Sequence, residues 1–375
     1  AVDDIQIRTG FRIESGGVVD SPEIMNLDAG GLTDSIVAGE RHTCVTNHLD
    51  EVWCMGYNGG SSKMVLGNSS TTATNSSSLV KVDIGFGTDS VLSITAGYDT
   101  SCAILDNSTQ AVCWGQRSDW SDSGATTRSG ELLLGSSSPS NNGTVVDLGT
   151  AGDRIYSIAM GESHACAIVE NTIECWGVEE DGSFGQGSST TTAYSTPQTI
   201  SVPSGLTAKQ IVIEHSIDST CGVFEDSSGT SSVICWGDET AVGYSASNPV
   251  TTLADSPVED SNGNEIIPSD DSLSPYDIVD LQSGDEHTCA LSRQGLIKCW
   301  GSNQQAQLGI AGNGWNTIRL GDNINEMGIN LPYIDLGANV TATQLSVGKY
   351  HNCAIVQSSV DSSMNGKVMC WGYNQ

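Results

Sequence analysis

The chain has 375 residues and a net charge of −31 at pH 7, with 45 acidic residues against 14 basic ones. It has no basic run to meet phosphates, so the composition argues against a nucleic-acid-binding protein. An anionic membrane surface would repel this charge, and no apolar run reaches the ~18 residues of a membrane-spanning helix. We therefore expect an acidic protein without direct membrane insertion.

Tandem repetition is marked by twelve cysteines, which form six close pairs at intervals of about 60 residues, as in repeat architectures. In chain order the pairs are Cys44 and Cys54, Cys102 and Cys113, Cys166 and Cys175, Cys221 and Cys235, Cys289 and Cys299, and Cys353 and Cys370. Trp-Gly follows the second cysteine of every pair except the first, where Met55-Gly56 stands. The sequence therefore predicts six equivalent units in a single domain over residues 1–375.

The two cysteines of each unit lie on the two strands of a predicted hairpin. In the fifth unit, β-prone runs containing Cys289 and Cys299 flank a turn at Gly295. Directly opposed residues of antiparallel strands have Cα atoms ~4.5–5.5 Å apart, which suits a disulfide. Zinc is the alternative, but its structural sites place cysteines about two to four residues apart. The pairs favour one disulfide per hairpin and an oxidising compartment, extracellular or at the cell surface.

Two further strands are predicted in each unit. A short turn signal follows the Trp-Gly, as at Leu66-Gly67 and Leu308-Gly309, and a β-run often led by proline comes next, as at 332–336. An apolar strand that ends at a glycine precedes the next first cysteine, as at 36–39 and 345–348. About four strands per unit are typical of a propeller blade. The predicted fold class is therefore all-β, a six-bladed β-propeller.

The sixth unit ends soon after Cys370, without its later strands. Counterparts of those strands stand at the other end of the chain, at 22–27 and 36–39. The two end segments together are as long as one unit, so we expect residues 1–39 to complete the last blade by pairing of N- and C-terminal strands. Such closure removes free sheet edges. The alternative is donation of the N-terminal segment to a neighbouring molecule, which would give polymers.

The motifs GDEHTCAL (284–291), CWGSN (299–303) and QLG (307–309) resemble the repeats of the regulator of chromosome condensation family. The resemblance covers essentially the whole chain and implies a β-propeller, most often with seven blades, whereas this sequence shows six units. The family's eukaryotic founder acts on a small GTPase and on chromatin, which the predicted disulfides and the missing basic arm argue against here. The chain is more similar to secreted or surface microbial proteins with Cys-Trp-Gly repeats.

A polar residue at a fixed place in each unit is a candidate site. Two residues before the first cysteine stand His42, Thr100, His164, Ser219, His287 and His351. Equivalent positions form a ring in a propeller, and a ring of histidines would suit a metal ion or a pH response. The alternative is a side chain hydrogen-bonded inside each blade, repeated because the blade repeats, and this interpretation is favoured.

Two insertions carry further candidates. Between the fourth and fifth units, oxygen-bearing side chains alternate around a glycine in a way that resembles part of a calcium loop. These residues are Asp260, Asn262, Asn264 and Glu265. An acidic surface loop is the alternative, and calcium is the one cofactor that the sequence suggests. The insertion 116–131 holds Trp120, a contact for a protein or sugar or a locally packed ring.

Five Asn-x-Ser/Thr sequences would accept glycans in an exported chain, at Asn68, Asn75, Asn107, Asn142 and Asn339. The sequence lacks nucleophile-elbow, HExxH, phosphate-loop and dinucleotide motifs, so we predict no catalytic residues and no enzyme. We expect a non-enzymatic extracellular or cell-surface scaffold that presents loops to a protein or glycan. The alternatives are a self-assembling subunit of an extracellular filament or surface layer, and a secreted hydrolase or lyase with a site at the propeller funnel.

Overall fold

The computed structural model describes residues 8–9, 23–24, 33–39, 42–47, 49–58, 65–67, 76–83, 90–106, 110–115, 143–150, 152–187, 191–214, 218–238, 278–310, 319–321, 326 and 331–373. Within these ranges the regular elements are β-strands, apart from one 3-10 turn at Ser362–Met364. No helix in the described part of the chain is long and apolar enough to span a membrane. The all-β class predicted from the sequence is confirmed.

Six sheets follow one another along the chain, after a short pair formed by β1 (Arg8–Thr9) and β2 (Glu23–Ile24). The first three sheets contain β3 (Thr33–Ala38), β4 (His42–Asn47), β5 (Val52–Gly56) and β6 (Ser76–Lys81); β7 (Val91–Ala96), β8 (Thr100–Leu105), β9 (Ala111–Gly115) and β10 (Thr144–Val146); and β11 (Ile155–Met160), β12 (His164–Val169), β13 (Thr172–Glu179) and β14 (Thr192–Ser201). The last three contain β15 (Leu206–Ile213), β16 (Ser219–Asp226) and β17 (Ser231–Gly237); β18 (Ile278–Ser283), β19 (His287–Ser292), β20 (Ile297–Ser302) and β21 (Arg319–Leu320); and β22 (Val340–Val347), β23 (His351–Ser358) and β24 (Lys367–Gly372). In each sheet the strands are neighbours in chain order, as in propeller blades.

All six predicted disulfides are present, one in each sheet, and they use all twelve cysteines. The cysteines of a pair face each other across the second and third strands, as Cys289 does Cys299. Their Cα atoms are 4.0 to 4.1 Å apart, slightly closer than expected. With six such sheets the fold is a six-bladed β-propeller, as predicted.

The boundary between units differs from the prediction by one strand. The apolar strand before each first cysteine is the first strand of the same sheet, since Val37 is paired with Cys44 and Ser346 with Cys353. Residues 33–38 therefore belong to the first sheet, and their assignment to the last blade was wrong. A connection of a few residues joins the two strands, so an antiparallel pair forms locally.

Closure by the two chain ends stays a prediction. Among the described residues, β24 pairs with β23 alone, and β2 pairs with β1. The pairing of residues 1–32 with the C-terminal strand, within one molecule or between molecules, lies outside what the described strands show.

Two compact units make up the chain, residues 1–165 with 176–178 and 193–198, and residues 166–175 with 179–192 and 199–375. In the first unit, Leu66, Leu105 and Trp114 belong to one hydrophobic core shared by the first two sheets. In the second, Trp236 and Trp300 are fully buried. Burial of large apolar side chains is the main stabilising contribution to such cores.

In two of the sheets the tryptophan after the second cysteine donates a hydrogen bond to the preceding sheet. Trp236 Nε1 donates to the carbonyl oxygen of Ser183 over 2.9 Å, and Trp371 Nε1 donates to that of Gln307 over 3.0 Å. The next residues after these carbonyls are Phe184-Gly185 and Leu308-Gly309, which are two of the predicted turn signals. A side chain on Gly309 would meet the Trp371 ring, since an added Cβ lies 2.8 Å from Cδ1. The repeated Trp and the repeated Leu-Gly are thus two halves of one contact.

The glycine two residues after the second cysteine has a positive φ in all six sheets, from 99° to 124°. A Cβ on Gly301 would collide with the carbonyl oxygen of Glu286, so only glycine fits this close approach. The next residue, Ser302, donates its N–H to the same carbonyl over 2.7 Å. The Cys-Trp-Gly motif therefore fixes both the packing and the end of the third strand.

Candidate functional site

Two of the four predicted histidines form buried bonds to the next sheet. His42 Nε2 lies 2.7 Å from Ser101 Oγ, and His287 Nε2 lies 2.8 Å from Asn352 Oδ1. Each partner stands immediately before the first cysteine of its sheet. The structural interpretation of these histidines is confirmed, with one correction: the bond joins neighbouring sheets and does not lie inside one blade.

The tautomer of His287 follows from its partner. Asn352 Nδ2 donates to the carbonyl oxygen of Gln307 over 2.6 Å, which turns Oδ1 toward the imidazole. His287 Nε2 must therefore carry the proton that it donates to Oδ1. We use the term inter-sheet link for a hydrogen bond between neighbouring sheets. It runs from a side chain in the turn between the first two strands, or at the start of the second strand, to the residue before the next sheet's first cysteine.

The other two histidines differ in exposure. His164 is buried, and desolvation lowers its pKa to about 3, so the ring is neutral at physiological pH. His351 is exposed at the start of β23. Across the described residues, no group of three or more His, Cys, Asp or Glu side chains is placed to hold a metal ion.

The fourth sheet carries a buried carboxyl that the sequence reasoning did not single out. Glu214 follows β15 and is only 2% exposed, and its Oε1 accepts a hydrogen bond from Thr288 Oγ1 over 2.7 Å. Burial raises its pKa to about 8. The signal that would have found it is the loss of both glycine and histidine from this turn, where Glu214 and Ser219 stand instead.

One end of each sheet carries both the turn between the first two strands and the start of the connection after the third. In the fifth sheet, His287 at the start of β19 is paired with Gly301 near the end of β20. We call this the turn end of a sheet. Long connections leave it at 57–75, 116–143, 238–277 and 303–318. At the opposite end the connections are shorter, apart from 321–339.

The turn end of the fifth and sixth sheets combines aromatic and charged side chains. The rings of Tyr350 and Tyr373 meet edge to face with centroids 6.3 Å apart, and Tyr373 is 43% exposed. Lys349 lies 5.4 Å from the Tyr350 ring centroid and 3.7 Å from Asp285 Oδ1. Burial and a hydrogen bond from the phenol to Asp285 raise the pKa of Tyr350. Such amphipathic rings with nearby charges are common in binding surfaces.

Most other predicted site residues lie outside the described part of the chain. These are Asn68, Asn75, Asn107 and Asn142, Trp120 with the insertion 116–131, and the calcium candidates Asp260, Asn262, Asn264 and Glu265. Asn339 is described: it is exposed in the turn before β22 with a φ of 60°. Asparagine tolerates this left-handed conformation better than most residues, so the structure explains Asn339 as a turn residue.

The fifth unit of the chain matches the model of a known family. The family model of the regulator of chromosome condensation (RCC1) repeat matches residues 278–307, which contain β18, β19 and β20. Protein pim1 of Schizosaccharomyces pombe is 30% identical over 103 residues, 27% of this chain and 18% of that protein. The Ultraviolet-B receptor UVR8 of Arabidopsis thaliana is 28% identical over 163 residues, 42% of this chain and 32% of that protein. The matched segments thus span less than a third of either relative.

The fold is shared over a longer stretch. The structure of yeast RCC1 (Prp20) bound to Kap60 matches with a TM-score of 0.67 at 18% identity, over 94% of this chain and 73% of that one. Likeness at this level of identity concerns the fold, since function depends on sites that the fold alone does not fix. One repeat of this chain thus matches the RCC1 repeat model, and the β-propeller fold of the chain is similar to that of yeast RCC1.

Proposed function

We propose that this protein is a non-enzymatic extracellular or cell-surface scaffold that binds a partner protein through the turn ends of its sheets. The observation that carries the proposal is the placement of long connections at these ends, from 57–75 to 303–318. Loops held by a rigid scaffold are the usual carriers of binding residues. The six disulfides support an oxidising compartment, because such bonds are rare in the cytosol.

The chemistry of the partner follows from charge. The chain carries −31, and the connection 238–277 contains aspartate and glutamate but neither lysine nor arginine. A basic protein surface would be attracted to such a chain, with an association rate that falls as salt is added. Neighbours of similar fold also bind proteins, since Prp20 is described with Kap60 and for its binding to Gsp1p and histones.

Site-specific crosslinking tests the proposal. A photoreactive benzoylphenylalanine is placed at Tyr373, on the turn end of the sixth sheet, and in a matched variant at Val360, on the opposite end of the same sheet. Both side chains are exposed, at 43% and 73%. We expect a crosslinked protein partner from position 373 alone, with a yield that falls as salt rises. A partner captured only from position 360 would contradict the proposal.

Other outcomes identify the remaining alternatives. Crosslinks between copies of this chain would indicate the self-assembling filament or surface-layer subunit. Retention by glycans, with no protein captured, would favour a glycan-binding scaffold. Turnover of a substrate, abolished by changes in a propeller funnel, would indicate a secreted hydrolase or lyase.

Calcium and glycans belong to the same proposal as accessory features. Binding of calcium at Asp260, Asn262, Asn264 and Glu265 would be measured by calorimetry on the native chain and on a variant with Asp260→Ala and Glu265→Ala. Loss of binding in the variant supports the site, and equal heats in the two chains exclude it. Glycans at the five asparagines would appear as mass that a glycosidase removes.

A further inference from the structure

The turn between β15 and β16 departs from the pattern of the other five sheets at two positions, and it is two residues longer than the other five turns. In those sheets the first strand is followed by a glycine whose N–H donates to the first residue of the second strand over 2.8 to 2.9 Å. The glycines are Gly39, Gly97, Gly161, Gly284 and Gly348. Glu214 takes this place in the fourth sheet and donates its N–H to the carbonyl oxygen of Ser219 over 3.2 Å. Ser219 in turn stands where four other sheets have histidine.

The two replacements compensate each other sterically. A Cβ on Gly284 would lie 2.7 Å from Nδ1 of His287, and a Cβ on Gly348 would lie 2.6 Å from Cε1 of His351. A side chain at the glycine position and an imidazole at the histidine position therefore require the same space. Serine at 219 leaves the space of the imidazole free and so removes one of the clashes that a side chain at 214 would meet. In the fifth sheet a second clash is with the carbonyl oxygen of Gly348, which would lie 2.5 Å from a Cβ on Gly284.

Glu214 also takes over the bond that histidine makes elsewhere. Its Oε1 accepts from Thr288 Oγ1 over 2.7 Å, and Thr288 immediately precedes Cys289. Ser101 and Asn352, the partners of His42 and His287, hold the same place before their cysteines. The carboxyl group of Glu214 is thus the inter-sheet link between the fourth and fifth sheets.

We propose that Glu214 makes this link as a neutral carboxylic acid, and that loss of its proton weakens the junction between the fourth and fifth sheets. Oε2 has no hydrogen-bond partner among the described residues, so an ionised carboxylate would have a single neutral donor. A buried charge with so little compensation is costly. The neutral acid carries no such penalty and keeps the acceptor that Thr288 uses.

The groups around Glu214 include some that raise its pKa and some that lower it. Desolvation has the largest effect and raises the pKa to about 8. The Thr288 hydrogen bond and the guanidinium of Arg319 lower it, and the carboxylates of Glu286 and Asp238 raise it. Arg319 is itself paired with Glu286, with Nη2 3.2 Å from Oε2, which limits its help to Glu214.

The expected pH dependence has a definite sign. The folded-state pKa lies above the ordinary value of 4.5, so the folded chain keeps this proton to a higher pH than the unfolded chain. The contribution of Glu214 to the free energy of unfolding is therefore largest below pH 4.5. It falls as pH rises toward about 8 and is constant above that pH. Within that window the unfolding constant rises by up to about tenfold per pH unit for one proton.

Unfolding in guanidinium, with the disulfides intact, tests the proposal on Glu214→Gln. Glutamine is neutral at every pH and keeps an acceptor for Thr288, so the variant should lack this pH slope and gain stability over the native chain from pH 5 to pH 9. The matched control is Glu225→Gln on β16, whose carboxylate is exposed and paired with Lys209 over 3.2 Å. The control should follow the native chain. A constant difference between Glu214→Gln and the native chain over this range would overturn the proposal.

Infrared spectroscopy supplies a readout that does not depend on the stability of the glutamine variant. The native protein at pH 6.5 should show the C=O band of a protonated carboxyl, which disappears by pH 10. Thr288→Val removes the donor to Oε1 and should shift this band to higher frequency. No band at pH 6.5, or a band that Thr288→Val leaves in place, would contradict the neutral link at Glu214.

Discussion

The fifth and sixth sheets share the Cys-Trp-Gly motif but bury it to different depths. In the fifth sheet both cysteine strands are buried throughout, and Trp300 has no exposed surface. In the sixth sheet Cys370 is exposed and Trp371 is half-buried. A fourth strand, β21, covers the edge of β20, whereas β24 has no partner beyond β23 in the described residues. The same motif is thus buried to different depths in the two sheets, and we expect it to contribute unequally to their stability.

The largest effect is expected from removing the two tryptophans. Trp300→Ala opens a cavity in a fully buried site, so we expect a loss of about 3–5 kcal/mol in the free energy of unfolding. Trp371→Ala should lose about half as much, since its ring is already part-exposed. Guanidinium unfolding with intact disulfides measures both. Equal losses would show that exposure does not distinguish the two sheets.

The next largest effect is expected in acid, where variants at His164 and His351 should differ in the pH dependence of their stability. Because the folded-state pKa of His164 is lowered to about 3 from 6.5, the unfolded chain binds its proton first as pH falls. His164 therefore stabilises the fold fully above pH 6.5, and the contribution is lost between pH 6.5 and about 3, by up to about 1.4 kcal/mol per pH unit. His164→Gln should flatten the acid limb of a stability profile, while His351→Gln should leave it in place. Identical acid limbs in the two variants would contradict the burial of His164.

A smaller effect is expected at the inter-sheet link of His287. His287→Ala leaves Asn352 Oδ1 buried without its donor, which should cost about 1–3 kcal/mol. The exposed His351→Ala is the control and should stay within about 0.5 kcal/mol of the native chain. A double-mutant cycle with Asn352→Ala should show coupling between 287 and 352. Simple additivity would mean that the 2.8 Å contact contributes nothing.

The features that the sequence predicted correctly are local ones. The cysteine pairs, the Gly295 turn and the apolar strand before Cys353 depend on residues close in the chain, so spacing and alternation were enough to place them. Unit boundaries were off by one strand because a repeat can be divided at any point along its period. Which strand pairs with the strand before Cys44 is decided by the short turn at Gly39.

The contacts between sheets were beyond local patterns. His42 contacts Ser101 and Trp371 contacts the Gln307 carbonyl across about a full repeat, so no spacing within one unit identifies these partners. Glu214 was missed for a related reason. The role of Glu214 can be recognised only when the fourth turn is aligned with the other five and the space that the imidazole occupies is known.

Partial reduction followed by alkylation and non-reducing peptide mapping tests the central claim, six sheets each closed by its own disulfide, most directly. We predict that every cysteine is linked within its unit, Cys44 to Cys54 through Cys353 to Cys370, and that the exposed Cys353–Cys370 bond opens first. A bond between units, such as Cys54 to Cys102, would contradict the account.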